Sequence, residues 1–238
     1  MAKFLSALDK SNSIKTLIGG KQLSKENEEM TGTTIMALTY NGGVLIAADS
    51  RTSAGSFVAN RVSDKLTHIS DRIYCCRSGS SADTQAIADL VRYHMDFHRM
   101  SLGNQPLVKS AAIVFKNFCY NYRDQMSASI IVAGWDKING PQIYTIPVGG
   151  MCLKQKFAIG GSGSTFIYGY MDTHYKDNMT KEQCIDLAKK AISLSIYRDS
   201  SSGGIIRMAD ITENSIDRYI FKQNEFKFTP DYTKEAMC

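Results

Sequence analysis

Residues 33 to 50 restrict the fold more than any other segment. The run TTIMALTY passes through Asn41-Gly42-Gly43 into VLIAADS. Two β-rich runs joined at Asn-Gly predict a tight hairpin, because Asn and Gly accept the positive φ that such a turn needs. Further β-rich runs follow at RIYCCR (72 to 77), SASIIVAGW (127 to 135), QIYTIPV (142 to 148) and IIRMADI (205 to 211). Between them lie three helical stripes. Ile87, Leu90, Val91, His94 and Met95 keep one-face spacing. So do Leu107, Ala111, Val114, Phe115, Phe118 and Cys119, with Pro106 at the start. The third stripe is Cys184, Leu187, Ala188, Ala191 and Ile192, opened by Thr180 as N-cap. The first two stripes are consecutive, and the strands come in groups. That arrangement predicts an α+β fold, not a doubly wound parallel sheet.

Composition removes several function classes. Hydrophobic residues make up 43% and charged residues 21% of 238, which excludes a wholly disordered chain. The net charge is +5, yet no basic run exceeds a pair such as Lys189-Lys190, so no nucleic-acid partner is expected. No apolar stretch approaches about 20 residues, so no membrane span is expected. The opening MAKFLSALDK has too short an apolar core for a signal peptide. Six cysteines contain no CxxC pair, which predicts buried thiols in a reducing compartment and no metal site. Cys75 and Cys76 should face opposite sides of one strand. Residues 1 to 32 are polar and without sustained period. They read as a tail or a removable leader before one domain.

Several motifs carry little chemistry. His94 and His98 are four apart, but the HExxH pattern fails, and a packed or solvated pair is the better reading. Gly160-Gly161-Ser162-Gly163-Ser164-Thr165 resembles a phosphate loop in composition only, since no Lys follows. Trp135 ends an apolar strand and reads as core or interface.

Met30-Thr31-Gly32-Thr33-Thr34 is more specific. If the bond after Gly32 were cut, Thr33 would carry a hydroxyl and a free α-amine. An α-amine has a pKa near 8, so part of it is neutral near pH 7 and can serve as the hydroxyl's base. Asp49 ends the second hairpin strand, and Lys65 lies in NRVSDKL. A lysine beside a nucleophile stabilises developing negative charge, and a buried Asp can hold it charged. Gly79 follows Arg77-Ser78 at a strand end, where a bare N–H could meet a substrate carbonyl.

GTTIMA, GVLIAADSRTSAG, ANRVSDKL, YCCRSGSSADTQ, IGGSGSTFIYGY and RDSSSGG, in this order, resemble the proteasome β subunits. Among these they are similar to the catalytic, caspase-like type 1. The likeness covers about residues 31 to 222. It implies an N-terminal nucleophile hydrolase, a four-layer αββα sandwich of two antiparallel sheets between helix layers. It implies a propeptide, 1 to 32, removed by autocleavage between Gly32 and Thr33, and a catalytic domain with a C-terminal tail, 33 to 238. Thr33 falls on the family's catalytic threonine, and Asp49 and Lys65 on the carboxylate and amine beside it. Ser162, Asp199 and Ser202 fall on the residues that hold the amine and its water, and Gly79 on the oxyanion donor. Arg77 falls at the base of the specificity pocket, with Thr52, Ser53, Ser63, Thr67 and Ser81 on its walls. Ser81 stands where the family carries Ala, and Ser53 and Ser63 where it carries Thr.

The resemblance further implies a threonine endopeptidase that cuts after acidic residues in intracellular protein degradation. Its partners would be α and β subunits in stacked rings and unfolded polypeptides, in cytoplasm and nucleus, without metal or organic cofactor. The competing expectation is a ring component that aids assembly and cuts nothing.

Overall fold

The structure is a computed structural model. It describes residues 32 to 54 and 57 to 226. The Asn-Gly hairpin forms, with the positive φ carried by Gly42 (110°) and not by Asn41. Strand β1 (Ile35–Tyr40) pairs with β2 (Gly43–Ala48) around Asn41 and Gly42. After them come β3 (Thr52–Ala54), β4 (Phe57–Asn60), β5 (Leu66–Ser70) and β6 (Ile73–Gly79). Two helices follow, α1 (Ser81–Leu102) and α2 (Val108–Asn121). Next are β7 (Ala128–Asp136), β8 (Gly140–Ile146), β9 (Leu153–Gln155), β10 (Phe157–Gly160) and a 3-10 turn, Ser162–Phe166. Helices α3 (Tyr168–His174) and α4 (Lys181–Arg198), strands β11 (Ile206–Thr212) and β12 (Ile216–Phe221), and the short α5 (Gln223–Phe226) complete the order.

The strands make two five-stranded antiparallel sheets, ordered β10-β1-β2-β11-β12 and β5-β6-β7-β8-β9, and a small β3-β4 ribbon. Side-chain alternation explains why the sheets stack. Ile35 and Ala37 of β1, Val44, Ile46 and Ala48 of β2, and Ile131 and Ala133 of β7 pack between the sheets. The intervening Met36, Leu38, Leu45 and Ala47 face α3 and α4. Ile130 and Val132 face α1 and α2. Strands buried on both faces need cover on both, and the result is a four-layer αββα sandwich. Cys75 and Cys76 lie in different core layers, so the adjacent thiols do face opposite ways.

The helices follow their stripes with two corrections. Cys184, Leu187, Ala188, Ala191 and Ile192 are all buried along α4, and Thr180 with Gln183 forms a capping box at its start. On α2, Ala111, Phe115 and Cys119 are buried, while the first expected stripe residue, Leu107, is the N-cap. The buried line of α1 is Thr84, Ile87, Ala88, Val91 and Met95; Leu90 turns outward and His94 packs beside the Phe118 ring, 5.6 Å between centroids. Leu90 sits one step off the Ile87–Val91–Met95 row, on the flank of the apolar stripe. Among the described residues no helix is long and apolar enough to cross a membrane.

Candidate active site

Register gathers the site at one end of the sandwich. Ile35 pairs with Ala48 on one side and Gly160 on the other, so Thr33 and Thr34 emerge between Asp49 and the Gly161 loop. Asp49 N–H donates to Thr34 O at 3.1 Å, and Thr34 N–H returns to Asp49 Oδ1 at 2.9 Å. Gly163 N–H donates to Thr33 O at 3.2 Å. Gly161 has φ 87°, and a Cβ there would lie 2.0 Å from Thr33 O, so only glycine lets the loop pass this close. Lys65 enters from the other sheet, just before β5.

The Lys65 ammonium has three N–H groups and three oxygens around it. Nζ is 2.7 Å from Asp49 Oδ1, 3.1 Å from Thr33 Oγ1 and 3.4 Å from Gly32 O. Thr33 Oγ1 donates its single proton to Gly32 O at 2.7 Å. Lys65 is buried, and burial pulls its ammonium below the ordinary lysine value, with the Asp49 carboxylate opposing. Asp49 is fully buried and also accepts from Arg51 N–H and Gly203 N–H, each at 3.1 Å. On the far side of Thr33, its N–H donates to Ser162 Oγ at 3.1 Å. Ser162 Oγ and Ser202 Oγ both donate to Asp199 Oδ2, at 2.8 and 2.7 Å. A hydroxyl thus stands between an ammonium and a hydroxyl–carboxylate cluster, beside the Gly32 carbonyl. Gly32 itself fits against the loop after α4, where a Cβ would lie 1.8 Å from Ser201 Cβ.

A cleft of about 230 Å³ opens beside Thr33, and its lining includes Thr52, Ser63, Arg77, Gly79 and Ser81. The Arg77 guanidinium is half-buried there. Its Nε donates to Thr67 Oγ1 at 2.8 Å, Nη1 to Thr84 Oγ1 at 3.3 Å and Nη2 to Asp64 O at 3.5 Å. These acceptors are neutral. The Asp64 carboxylate is 2.7 Å from Arg218, and among the described residues no carboxylate lies within 4.0 Å of Arg77.

The proteasome-subunit family profile matches residues 29–211 of this chain. The chain belongs to the proteasome subunit family. Within it, this β subunit is 51% identical over 199 residues to Proteasome subunit beta type-6 of Dictyostelium discoideum, covering 84% of this chain and 93% of the relative. It is 50% identical over 203 residues to Proteasome subunit beta type-1 of Saccharomyces cerevisiae, covering 85% and 94%. To Proteasome subunit beta type-9 of Homo sapiens it is 49% identical over 203 residues, covering 85% and 92%.

The structure brings Thr33, Asp49, Lys65, Ser162, Asp199 and Ser202 of this β subunit into one hydrogen-bonded group. It sets Gly79, Arg77, Thr52, Ser63 and Ser81 around the adjoining cleft. Two expected wall residues stand elsewhere. Thr67 lies behind Arg77 and holds it. Ser53 pairs with Val58 in the β3-β4 ribbon, past a register shift between Thr52 and Ser53, and does not line the cleft. Asn60, Asp64 and Thr84 also line the cleft, and Thr34 and Ser195 join the hydroxyl cluster. Sequence reading passes over these five. Thr84 looks like ordinary first-turn helix residue, and Ser195 like a small residue in a buried stripe.

Proposed function

We propose that this β subunit is an active threonine endopeptidase that first cuts its own chain between Gly32 and Thr33. The observation that carries the reading is the Lys65 ammonium, 3.1 Å from the Thr33 hydroxyl and fixed by buried Asp49. In the uncut chain, Thr33 Oγ bonds to the Gly32 carbonyl carbon and the Gly32–Thr33 C–N bond breaks, leaving an ester and a free Thr33 amine. Water hydrolyses the ester and releases the leader, 1 to 32. In the mature chain, 33 to 238, Thr33 Oγ attacks a substrate carbonyl and its proton passes to the amine. That proton then goes to the leaving amine as the peptide bond breaks, and water clears the second ester. Lys65 stabilises the negative charge growing at the hydroxyl. Gly79 N–H serves the oxyanion, where losing one donor costs roughly 100-fold or more. Ser162, Asp199 and Ser202 orient the amine.

The unpaired charge of Arg77 suits an acidic side chain on the amino side of the cut, since a carboxylate can take a two-point bond from guanidinium. Thr52, Ser63 and Ser81, with Thr67 supporting Arg77, shape that pocket. The reading carries a caspase-like activity within a particle of stacked α and β rings, degrading unfolded chains in cytoplasm and nucleus.

Thr33→Ala should leave the leader attached, read as intact mass, and abolish cleavage of acidic fluorogenic peptides by particles carrying it. Full acidic-site activity would overturn the assignment and favour a subunit that only assembles. Arg77→Leu should retain leader removal and shift the peptide ranking from acidic to aliphatic residues by about 100-fold, on the scale of a desolvated charge left without its partner. An unchanged ranking would make Arg77 structural.

A further inference from the structure

Behind the candidate site, Ser202 begins a row of buried hydroxyls, and its further members, Thr34 and Ser195, have no part in the proposed reaction. Ser202 Oγ donates to Asp199 Oδ2 at 2.7 Å. It also lies 2.8 Å from Thr34 Oγ1, which lies 2.5 Å from Ser195 Oγ. Ser195 Oγ in turn lies 3.2 Å from Gly163 O. Thr34 and Ser195 are fully buried and Ser202 is 1% exposed. Gly163 makes the room, since a Cβ there would lie 2.0 Å from both Ser195 Oγ and Thr34 Oγ1. Three hydroxyls packed this deep in a core are expensive unless each is bonded.

The number of protons limits what the row can do. It has four links but three hydroxyl protons, and both ends, Asp199 Oδ2 and Gly163 O, are acceptors when Asp199 is ionised. One link is then empty, and the longest, to Gly163 O, is the natural one to open. All three protons point towards Asp199. If Oδ2 takes a proton, it becomes a donor, the three hydroxyls reverse, and the fourth link closes. Either state leaves no hydroxyl unpaired.

We propose that Thr34 and Ser195 are positioning residues that form, with Ser202, a reversible hydroxyl relay keeping Asp199 paired with or without a proton. This rests on the proposed peptidase reading. A proton leaving the Thr33 hydroxyl can pass from the amine through Ser162, which is 3.1 Å from Thr33 N and 2.8 Å from Asp199 Oδ2. It rests on Asp199 until the leaving amine takes it back by the same route. The hydroxyls only rotate about their C–O bonds, and no proton leaves the row.

The test uses assembled particles in which intact mass shows the subunit beginning at Thr33. Thr34→Val keeps the shape and removes the hydroxyl. It should lower kcat on acidic peptides about tenfold, the scale of one buried hydrogen bond, with KM unchanged. It should also change the ratio of kcat in water to that in deuterium oxide. Thr34→Ser should restore both. If Thr34→Val fails to enter the particle, Ser195→Ala carries the test, with a kcat loss of about threefold and unchanged KM. Wild-type kcat and isotope ratio in the variant that assembles would overturn the relay. So would a Thr34→Ser variant as slow as Thr34→Val. Either result beside an inactive Thr33→Ala would leave the peptidase reading standing, whereas an active Thr33→Ala would remove that reading itself.

Discussion

Among the described residues a lysine meets a fully buried aspartate twice, at opposite ends of the same sheet. At the site end Lys65 Nζ lies 2.7 Å from Asp49 Oδ1, and at the other end Lys181 Nζ lies 2.7 Å from Asp210 Oδ2. Both aspartates are fully buried. The pairs differ in what else holds the carboxylate. Asp49 takes backbone N–H bonds from Thr34, Arg51 and Gly203 in addition to Lys65. Asp210 has the Tyr40 hydroxyl, at 2.5 Å, and Lys181. The lysines differ too. The Lys65 side chain is 9% exposed and points at a hydroxyl, whereas Lys181 is 30% exposed and also meets Asp217 at 3.1 Å. Burial dominates at Lys65 and pushes its ammonium below the ordinary value; the Asp210 hydrogen bond dominates at Lys181 and pushes it above. An identical contact is therefore a strut at one end. At the other it is a lysine held in place by a carboxylate that does not need it.

Removing each lysine should separate the two roles. Lys65→Met is expected to lower kcat/KM on acidic peptides by about a thousandfold, within the range for a lost charged or proton-transferring partner. Its effect on stability should be small, because three backbone donors remain on Asp49. The urea midpoint checks that half. Lys181→Met should do the reverse. Among the described residues it leaves buried Asp210 with the Tyr40 hydroxyl as its side-chain partner, and it should destabilise the chain by about 2 kcal/mol, below the usual figure for a broken buried pair because Lys181 is partly exposed. Peptide cleavage by particles carrying it should stay within twofold of wild type. A Lys181→Met chain with lost activity and intact stability would erase the distinction.

The fold and the site differ in how much of each is legible in the sequence. The hairpin, the long helices and the α+β grouping are legible because their signals are local, whereas the four layers follow only from the family resemblance. Asn41-Gly42 marks a turn, and Thr180 caps a helix whose apolar stripe is regular. Among the strands that escape notice, β9 has three residues and β4 has every residue exposed. These two bury too little to leave a period. The site is legible only through the family resemblance. Asp49 ends a strand of one sheet and Lys65 precedes a strand of the other, and no spacing announces that they meet. The same limit hides the second pair, since Asp210 reads as one polar letter inside IIRMADI and Lys181 as a helix-start residue. The hydroxyl row is hidden more deeply, because Thr34 and Ser195 are small residues of buried segments until the register sets them 2.5 Å apart.

The smallest expected effect is the pH dependence that each pair gives to stability, and its sign differs between them. A lysine whose folded pKa is lowered binds its proton less readily in the folded than in the unfolded chain. Between the folded value and the ordinary 10.5, the unfolded chain holds more protons, so stability rises with pH through Lys65. A lysine whose folded pKa is raised contributes fully below 10.5, and its share fades only as pH climbs towards the folded value. Through Lys181, stability should therefore be flat below 10.5 and fall above it. Urea unfolding of wild type and both variants between pH 8 and 10 isolates the two terms. The gap between wild type and Lys65→Met should change in favour of wild type as pH rises, by no more than about 1.4 kcal/mol per pH unit. The gap between wild type and Lys181→Met should hold constant over the same range. Parallel gaps would mean that Lys65 keeps its proton as firmly as Lys181 does, and that burial near Thr33 leaves its ammonium unchanged. The Lys65 contribution would then be a fixed positive charge at the hydroxyl at every pH where the peptidase reading is tested.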